Sequence, residues 1–514
     1  MAPERLHDFA LQLHPSDDVA VVRKPIRAGL ALMNGQGPFE AKQDIAQGHK
    51  IAVHDVPAGA PVRKYGQVIG FATAAIAAGD HVHAHNLAVK DFGRDYEFGT
   101  DLKTFAPVAE PRTIPGFLRP DGRVGTRNYV AVISSVNCSA SVSNYVRDRF
   151  RTPEFRRECP NVDGVIAFTH KSGCNVQPGE PFHTLRRVHV GLARHPNIAG
   201  YVMIGLGCEG NQVEFLRKDF NLDQVRVGQP GPSFMTIQQT GGTMKTVERA
   251  VEAVKKILPA ANACRRTPEP IAHAVLAMNC GGSDGYSGIT ANPALGVASD
   301  ELVRHGGTSV LAETPEVYGA EHLLTRRAVS REVGEKLVER IKWWERYTAL
   351  FGAEINNNPS PGNKEGGLTT IYEKSLGAIA KGGSTALADV VGYAEAVRTK
   401  GFVVMDTPGY DPVSMTGIVA GGANVLVFTT GRGSVFGCKP APSIKVATNS
   451  PMYRHMRDDM DLNAGVILEG TPVAEVGRQI FEEILAVAGG KKTKSELSGV
   501  GEEEFAPWSI GPTL

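Results

Sequence analysis

The feature that most constrains this chain is a series of short, unbroken apolar runs. Each is followed by a turn rich in Gly, Asn, Ser or Cys and then by a helical pattern. The runs lie at 129–135, 162–169, 201–206, 272–279, 308–313, 401–406, 424–429 and 444–447. A strand with one wet face alternates apolar and polar residues, whereas an unbroken run has both faces covered, as in a parallel sheet between helices. Amphipathic helices fit best at 243–257, 328–350 and 472–487, where apolar positions recur at three and four. The expectation is an α/β architecture with a mostly parallel sheet. In such sheets ligands bind beyond the carboxyl ends of the strands, which is where the unusual residues of this sequence gather.

Ahead of this pattern, residues 1–92 read as a small β module of short extended segments, punctuated by Gly48, Gly59, Gly66 and Gly79. Residues 93–115 are polar and contain Pro, so they read as a linker. The α/β region is then divided into 116–265 and 266–514, at a Thr-Pro-Glu-Pro segment. A chain of 514 residues exceeds what one hydrophobic core organises, so several domains are expected.

Composition mainly excludes. The hydrophobic fraction of 42% and charged fraction of 21% are those of soluble globular chains. Lys+Arg 55 against Asp+Glu 54 leaves +1, which gives no broad field for nucleic acid or an anionic membrane. No apolar run reaches the roughly 18 residues that span a bilayer, and the first residues carry no secretory pattern. A cytoplasmic protein is expected. Seven cysteines, an odd number spread from Cys138 to Cys438, do not form a disulfide framework, so reduced thiols are expected.

Several constellations could carry chemistry. His81, His83 and His85 alternate, and on a strand all three imidazoles would share a face; they are either metal ligands or a solvated strand end. His49 and His54 lie in the same module. Cys138, Cys174, Cys208 and Cys280 each follow a predicted strand, where they could hold a soft ion or merely fill small gaps. Gly205-Leu-Gly207-Cys-Glu-Gly210 matches a dinucleotide fingerprint, but the next strand candidate, 224–227, lacks the acidic residue that would bind ribose, so no NAD is expected. The run from Cys280 through Ser283 and Asp284 to Asn292 packs polar groups into one loop. Glu313, Glu316, Glu321 and His322 follow another strand and suit a hard cation or proton transfer. Asn363 and Lys364 end a Pro-rich loop, and Arg432 sits in a glycine loop after a strand, where a guanidinium can grip a carboxylate.

Taken together, Gly48-His-Lys, Lys64-Tyr-Gly, His83-Ala-His-Asn, Asp121-Gly-Arg-Val-Gly-Thr-Arg-Asn, Gly205-Leu-Gly-Cys-Glu, Cys280-Gly-Gly-Ser-Asp, Ser287-Gly-Ile-Thr-Ala-Asn-Pro, Asn358-Pro-Ser-Pro-Gly-Asn-Lys and Thr430-Gly-Arg-Gly resemble the altronate/galactarate dehydratase family. The resemblance covers roughly residues 10 to 500. It implies an N-terminal SAF-type β-clip module on a large catalytic region, and loss of water from a hexonate or hexarate to give a 2-keto-3-deoxy acid. It also implies a divalent metal, with Fe2+ the first expectation and Mn2+ or Mg2+ as alternatives. The His83-Ala-His-Asn and Glu313-Thr-Pro-Glu forms look closer to altronate than to galactarate dehydratases.

Removing the proton at C2 of a sugar acid creates an enediolate beside a carboxylate, which needs a metal and cations around it, a base for the proton and an acid for the leaving hydroxyl. On that basis the expected metal ligands are His83, His85, Cys208 and Cys280. His170, Lys64, Glu313 and Asp284 are the catalytic candidates. Arg432, Lys364, Asn363, Ser283 and Asn292 are the substrate-binding candidates. The competing classes are a nonenzymatic sugar-acid binding protein and an NAD-dependent oxidoreductase. The expected partner is the small sugar-acid substrate, with no nucleic acid and no membrane. A homodimer is expected only from the frequency of twofold assemblies.

Overall fold

A computed structural model of the chain describes residues 2–90, 93–176, 178–224 and 231–511. The N-terminal module consists of short strands in three small sheets. One joins Ala10–Leu11, Val19–Val22, Lys50–Ala52 and His81–Val82, another Pro61–Lys64, Gln67–Ala72 and Leu87–Ala88, and a third Glu4–Arg5, Ala31–Asn34 and Gly37–Glu40. Val19, Val62, Ile69 and Val82 point inward and share a core with the large C-terminal region, so the module is packed against it.

Two parallel sheets follow. The first has the spatial order Gly164–Phe168, Tyr129–Ser134, Ile198–Gly205, Ser233–Thr236. The second has seven strands in the order Leu387–Val391, Gly401–Met405, Thr308–Leu311, Val275–Cys280, Val425–Thr430, Ser443–Ala447, Leu462–Asn463. Helices cover both faces of the larger sheet. Leu276 and Met278 pack with Leu295 and Ile480 of helices Ala291–Arg304 and Val473–Ala488. Ala277, one residue out of phase, faces the opposite side with Met415 and Ile418 of helix Asp411–Ala420. Burial on both faces explains why these strands read as unbroken apolar runs.

The expected α/β class, with its small β-rich start, is what the chain forms. The details differ in places. The stretch read as a linker ends inside strand Thr113–Leu118, which pairs with Thr267–Pro270, so the Thr-Pro-Glu-Pro segment is a strand joining the two α/β units. Its prolines disguise it, but an edge position needs few donors. Strands Ser233–Thr236 and Leu387–Val391 had no sequence counterpart. The candidate at 224–227 lies, apart from Gln224, outside the described residues. Among the described residues no helix is long and apolar enough to cross a membrane.

Candidate active site

In the seven-stranded sheet the chain order reverses between neighbours Val275–Cys280 and Val425–Thr430. Such a switch point opens a crevice beyond the strand ends. The central strand delivers Cys280 to this edge. On the adjacent strand's exit, Glu313 adopts a left-handed conformation, φ 66°, and its N–H donates to Thr407 Oγ1 at 2.8 Å. That turn swings the carboxylate back over the sheet, where Glu313 Oε2 accepts from the Cys280 N–H at 3.2 Å. The next turn, Thr314–Glu316, is pinned by Thr314 Oγ1 donating to Asp406 at 2.6 Å.

Two lysines from the segment after residue 370 complete a sealed cluster. Lys381 Nζ lies 2.9 Å from Cys280 Sγ and 3.8 Å from Glu313 Oε2. Lys374 Nζ donates to Glu316 Oε1 at 2.6 Å and to Asn358 Oδ1 at 2.9 Å. The Cys280 thiol lies 3.3 Å from Glu316 Oε2. Cys280, Glu313, Glu316, Lys374 and Lys381 are all buried. Burial, reinforced by Glu316, raises Glu313 well above the usual carboxylate range. Burial also works against ionised Glu316, but Lys374 and Lys381 outweigh it and hold that carboxyl low. Burial and Glu316 push Asp411 up to about 7, while burial and the two glutamates push the Cys280 thiol up. Burial thus favours the neutral form of Glu313, while the two lysines favour the ionised form of Glu316, within one buried volume.

A second cluster lies where the small module meets the loop before helix Ile371–Ile379. His49 Nδ1 is 3.0 Å from His81 Nε2, His83 Nε2 is 2.9 Å from the Lys364 carbonyl, and His49 Nε2 is 3.2 Å from the Glu365 carbonyl. Each of His49, His81 and His83 offers a ring nitrogen within 4.8 Å of the others. Burial lowers all three, His81 to about 3 and His83 to about 4, so they are neutral imidazoles, the form that ligates a metal. The donors therefore fit a divalent ion. Ligand atoms of Cys280, Glu313 and Glu316, one from each, likewise lie within 4.8 Å of one another.

The module is clamped in place by a buried charge triad. Lys50 Nζ and Lys64 Nζ each donate at 2.9 Å to one oxygen of Glu373. Burial opposes that carboxylate, but Lys50 and Lys64 pull it far below its ordinary range. Backbones also meet directly: a Cβ on Gly285 would stand 1.9 Å from the Gly48 carbonyl oxygen, so only glycine fits. Beside this contact lies a cleft of about 790 Å³, lined by Arg23, Lys24, Asp284, Arg432, Asn449 and Arg454 among others.

The sequence candidates fall into several places. Glu313 and Cys280 are in the sealed cluster, and His83 is in the histidine cluster. His85 stands beside it, its ring 5.5 Å from that of His81. Cys208 is distant in kind, exposed on the four-stranded sheet's loops, where Gln238 donates to its sulfur at 3.5 Å. Lys64 is held by Glu373. His170 sits in the second domain, its Nε2 3.0 Å from the Ser134 carbonyl and 3.1 Å from His189. Asp284 and Arg432 line the cleft, and Asp284 accepts from Thr448 and Asn449. Ser283 bonds its own loop, through Gly281. Asn292 is used by Gly377 and Thr429. Asn363 is buried in the turn capped by Ser360, and Lys364 presents its carbonyl to His83. The Gly205 loop has its Leu206 and Gly207 amides taken by the carboxylate of Glu209, in the place where a dinucleotide fingerprint would offer them to phosphate.

Sequence reasoning missed Lys374, Lys381 and Asp411. The available signal was charge in an otherwise apolar helical stretch, since Glu373, Lys374 and Lys381 interrupt a run that is buried on every side.

A parallel sheet whose switch point buries an acid, a base and two cations, with a histidine cluster at a domain junction, is the framework of an enzyme that moves protons. Comparison with known proteins makes this specific. The family profiles for the altronate/galactarate dehydratase SAF domain, the D-galactarate dehydratase/altronate hydrolase second domain and the D-galactarate/altronate dehydratase C-terminal region match residues 8–90, 116–262 and 271–513. The altronate dehydratase of Escherichia coli (strain K12) is 35% identical over 506 residues, covering 98% of this chain and 99% of its own. The galactarate dehydratase (L-threo-forming) of the same organism is 38% identical over 496 residues, 94% and 93%. The (2R)-sulfolactate sulfo-lyase of Chromohalobacter salexigens matches in two pieces. Its subunit beta is 31% identical, over 77% of this chain and 96% of its own, and its subunit alpha is 35% identical, over 16% and 95%. The chain belongs to the galactarate/altronate dehydratase family and is a hydro-lyase.

Proposed function

We propose that this enzyme dehydrates D-altronate to 2-keto-3-deoxy-D-gluconate with a divalent metal, Fe2+ foremost, and that galactarate is the alternative substrate. The observation that carries the mechanism is the unequal pairing of two buried carboxyls in one cluster: Lys374 Nζ donates to Glu316 at 2.6 Å, whereas Lys381 Nζ stands 3.8 Å from Glu313, which favours the ionised form of the first and the neutral form of the second. Surroundings that push paired carboxyls apart create one acid and one base. Glu316 takes the C2 proton, and the electron pair left behind expels the C3 hydroxyl as Glu313 protonates it, so water leaves. The resulting enol then takes a proton at C3 and becomes the ketone. Lys374 and Lys381 balance the charge that builds on the enediolate. An ion held by His49, His81 and His83 would supply Lewis acidity at the substrate's oxygens. Arg432, in the cleft with Arg23 and Lys24, is assigned to the substrate carboxylate.

The full-length likeness to an altronate dehydratase supports the substrate assignment. The test is to purify the protein anaerobically, strip and restore Fe2+, Mn2+ or Mg2+, and measure 2-keto-3-deoxy acid formed from altronate and from galactarate. Metal-dependent turnover of altronate is the expected result. Turnover of galactarate alone would replace the substrate and keep the chemistry. Full activity in the stripped enzyme would overturn the metal.

A further inference from the structure

The four-stranded sheet has its own switch point. Its order places Tyr129–Ser134, the first strand in the chain, between the second, Gly164–Phe168, and the third, Ile198–Gly205. The loops leaving these three strands each carry one cysteine: Cys138, Cys174 and Cys208. All three are exposed, whereas Cys280 and Cys438 are buried and Cys159 and Cys264 partly so. Free cysteine is among the residue types most often buried, so three exposed thiols at one sheet edge need a reason.

The three loops are tied together. The Asn137 N–H donates to the Ser172 carbonyl at 2.9 Å, and the Gly210 N–H to the Cys174 carbonyl at 2.9 Å, so the Cys174 loop is bonded to both neighbours. Gly173, φ 105°, permits this closeness, since a Cβ there would stand 2.5 Å from the Ser135 carbonyl oxygen. The Gln238 amide donates to Cys208 Sγ at 3.5 Å, the kind of hydrogen bond to sulfur that tunes thiolate-bound clusters. The three sulfurs do not all lie within 4.8 Å of one another. A single tetrahedral ion with metal–sulfur bonds near 2.3 Å needs sulfurs about 3.8 Å apart, so the seat is too wide for one.

We propose that Cys138, Cys174 and Cys208 form a three-thiolate seat for a cubane-type iron–sulfur cluster. On binding a cluster preassembled on small thiols, each cysteine sulfur forms one bond to an iron and displaces one small thiolate, which leaves with the cysteine's proton, with no change in electron count. Three irons are held by protein and the fourth lacks a cysteine partner. This site is separate from the proposed catalytic cluster and does not rest on that reading.

The test incubates the full chain anaerobically with ferric iron, sulfide and a thiol reductant, which supplies the electrons a mixed-valence cluster requires. After desalting, iron, acid-labile sulfide and visible absorption are measured. Wild type and Cys159→Ser should retain iron and sulfide in equal amounts with a broad visible band. Cys138→Ser, Cys174→Ser and Cys208→Ser should each lose most of both. Alkylation of wild type read by mass spectrometry gives a measurement free of folding defects, because loaded protein should protect these three thiols and no others. Retention in the triple variant, iron without labile sulfide, or unprotected thiols in loaded protein would each overturn the proposal. Iron bound without sulfide would instead report the histidine cluster.

Discussion

Beyond the seven-stranded sheet, the loops fold over one another until Cys280, Glu313 and Glu316 are sealed from water, whereas beyond the four-stranded sheet Cys138, Cys174 and Cys208 stay exposed. Both edges are switch points of parallel sheets, and both place cysteine at or just beyond the end of an apolar strand: Cys280 closes its strand, whereas Cys138, Cys174 and Cys208 lie in the loops that follow theirs. The difference comes from what lies above. Helix Ile371–Ile379 brings Lys374 over the larger sheet, Lys381 follows it, and the small module is locked on top by Lys50, Lys64 and Glu373. Low local dielectric then separates the proton affinities of Glu313 and Glu316, which the same residues in water would not show. A cysteine after a strand is therefore a statement about position, and the surrounding domains decide its chemistry.

The largest test of this contrast is Glu313→Gln, which keeps the shape and removes the acid. Loss of a positioned general acid costs about 10²–10⁴-fold, so kcat should fall by that order with KM little changed. Lys381→Met should also lower kcat, since Glu313 and Cys280 lose their nearest cation. A Glu313→Gln enzyme within a few-fold of wild type would mean that the sealed edge is structural only.

Next in size is the clamp. Removing one partner from a buried ion pair costs about 3–5 kcal/mol because a charge is left uncompensated. Glu373→Ala strands two ammonium groups and should lower unfolding free energy by about that amount in urea titrations. Because Glu373 is held below its ordinary 4.5 in the folded state, its contribution is present above that pH and is lost as pH falls further. Replacing Lys50, Lys64 and Glu373 together by apolar residues of similar size should recover much of the loss. Failure to recover would show that the triad also orders the His49, His81 and His83 cluster.

These sites also show what the sequence could and could not reveal. The strands Val275–Cys280 and Val425–Thr430 were legible because burial on both faces writes itself as an unbroken apolar run. Leu387–Val391 was not, since Asp389 interrupts it, and that carboxylate is satisfied by Thr399 across a sheet edge. Glu313 was visible as a carboxylate after a strand, and His83 as part of an alternating row. Lys374 and Lys381 were not, because Glu316 and Cys280, which they meet in the cluster, lie more than 50 residues away in the chain and only the fold sets the distance. His49 stands just ahead of strand Lys50–Ala52, 32 residues before His81, so no spacing rule links them. Lys64 looked like a free base until Glu373, 309 residues on, was placed beside it.

The smallest effect separates the two sheets by pH. His170 is buried beneath the four-stranded sheet's edge, and burial, only partly offset by the Ser134 carbonyl, lowers it from the ordinary 6.5 to about 4. His189 beside it is lowered well below 6.5, by burial first and then by His170. A histidine that stays neutral in the folded chain but binds a proton when unfolded contributes stability above pH 6.5, and that contribution is lost as pH falls toward about 4. The His170 shift alone corresponds to about 3 kcal/mol across that window. His170→Gln should therefore flatten the fall in unfolding free energy between neutral and mildly acid pH, and it should keep turnover at neutral pH. An unchanged slope would mean that the floor of this edge is open to water, removing the contrast between exposed thiols and a dry base beneath them. A well-folded His170→Gln enzyme without turnover would go further, because the proton chemistry would then belong to the four-stranded sheet as much as to the seven-stranded one.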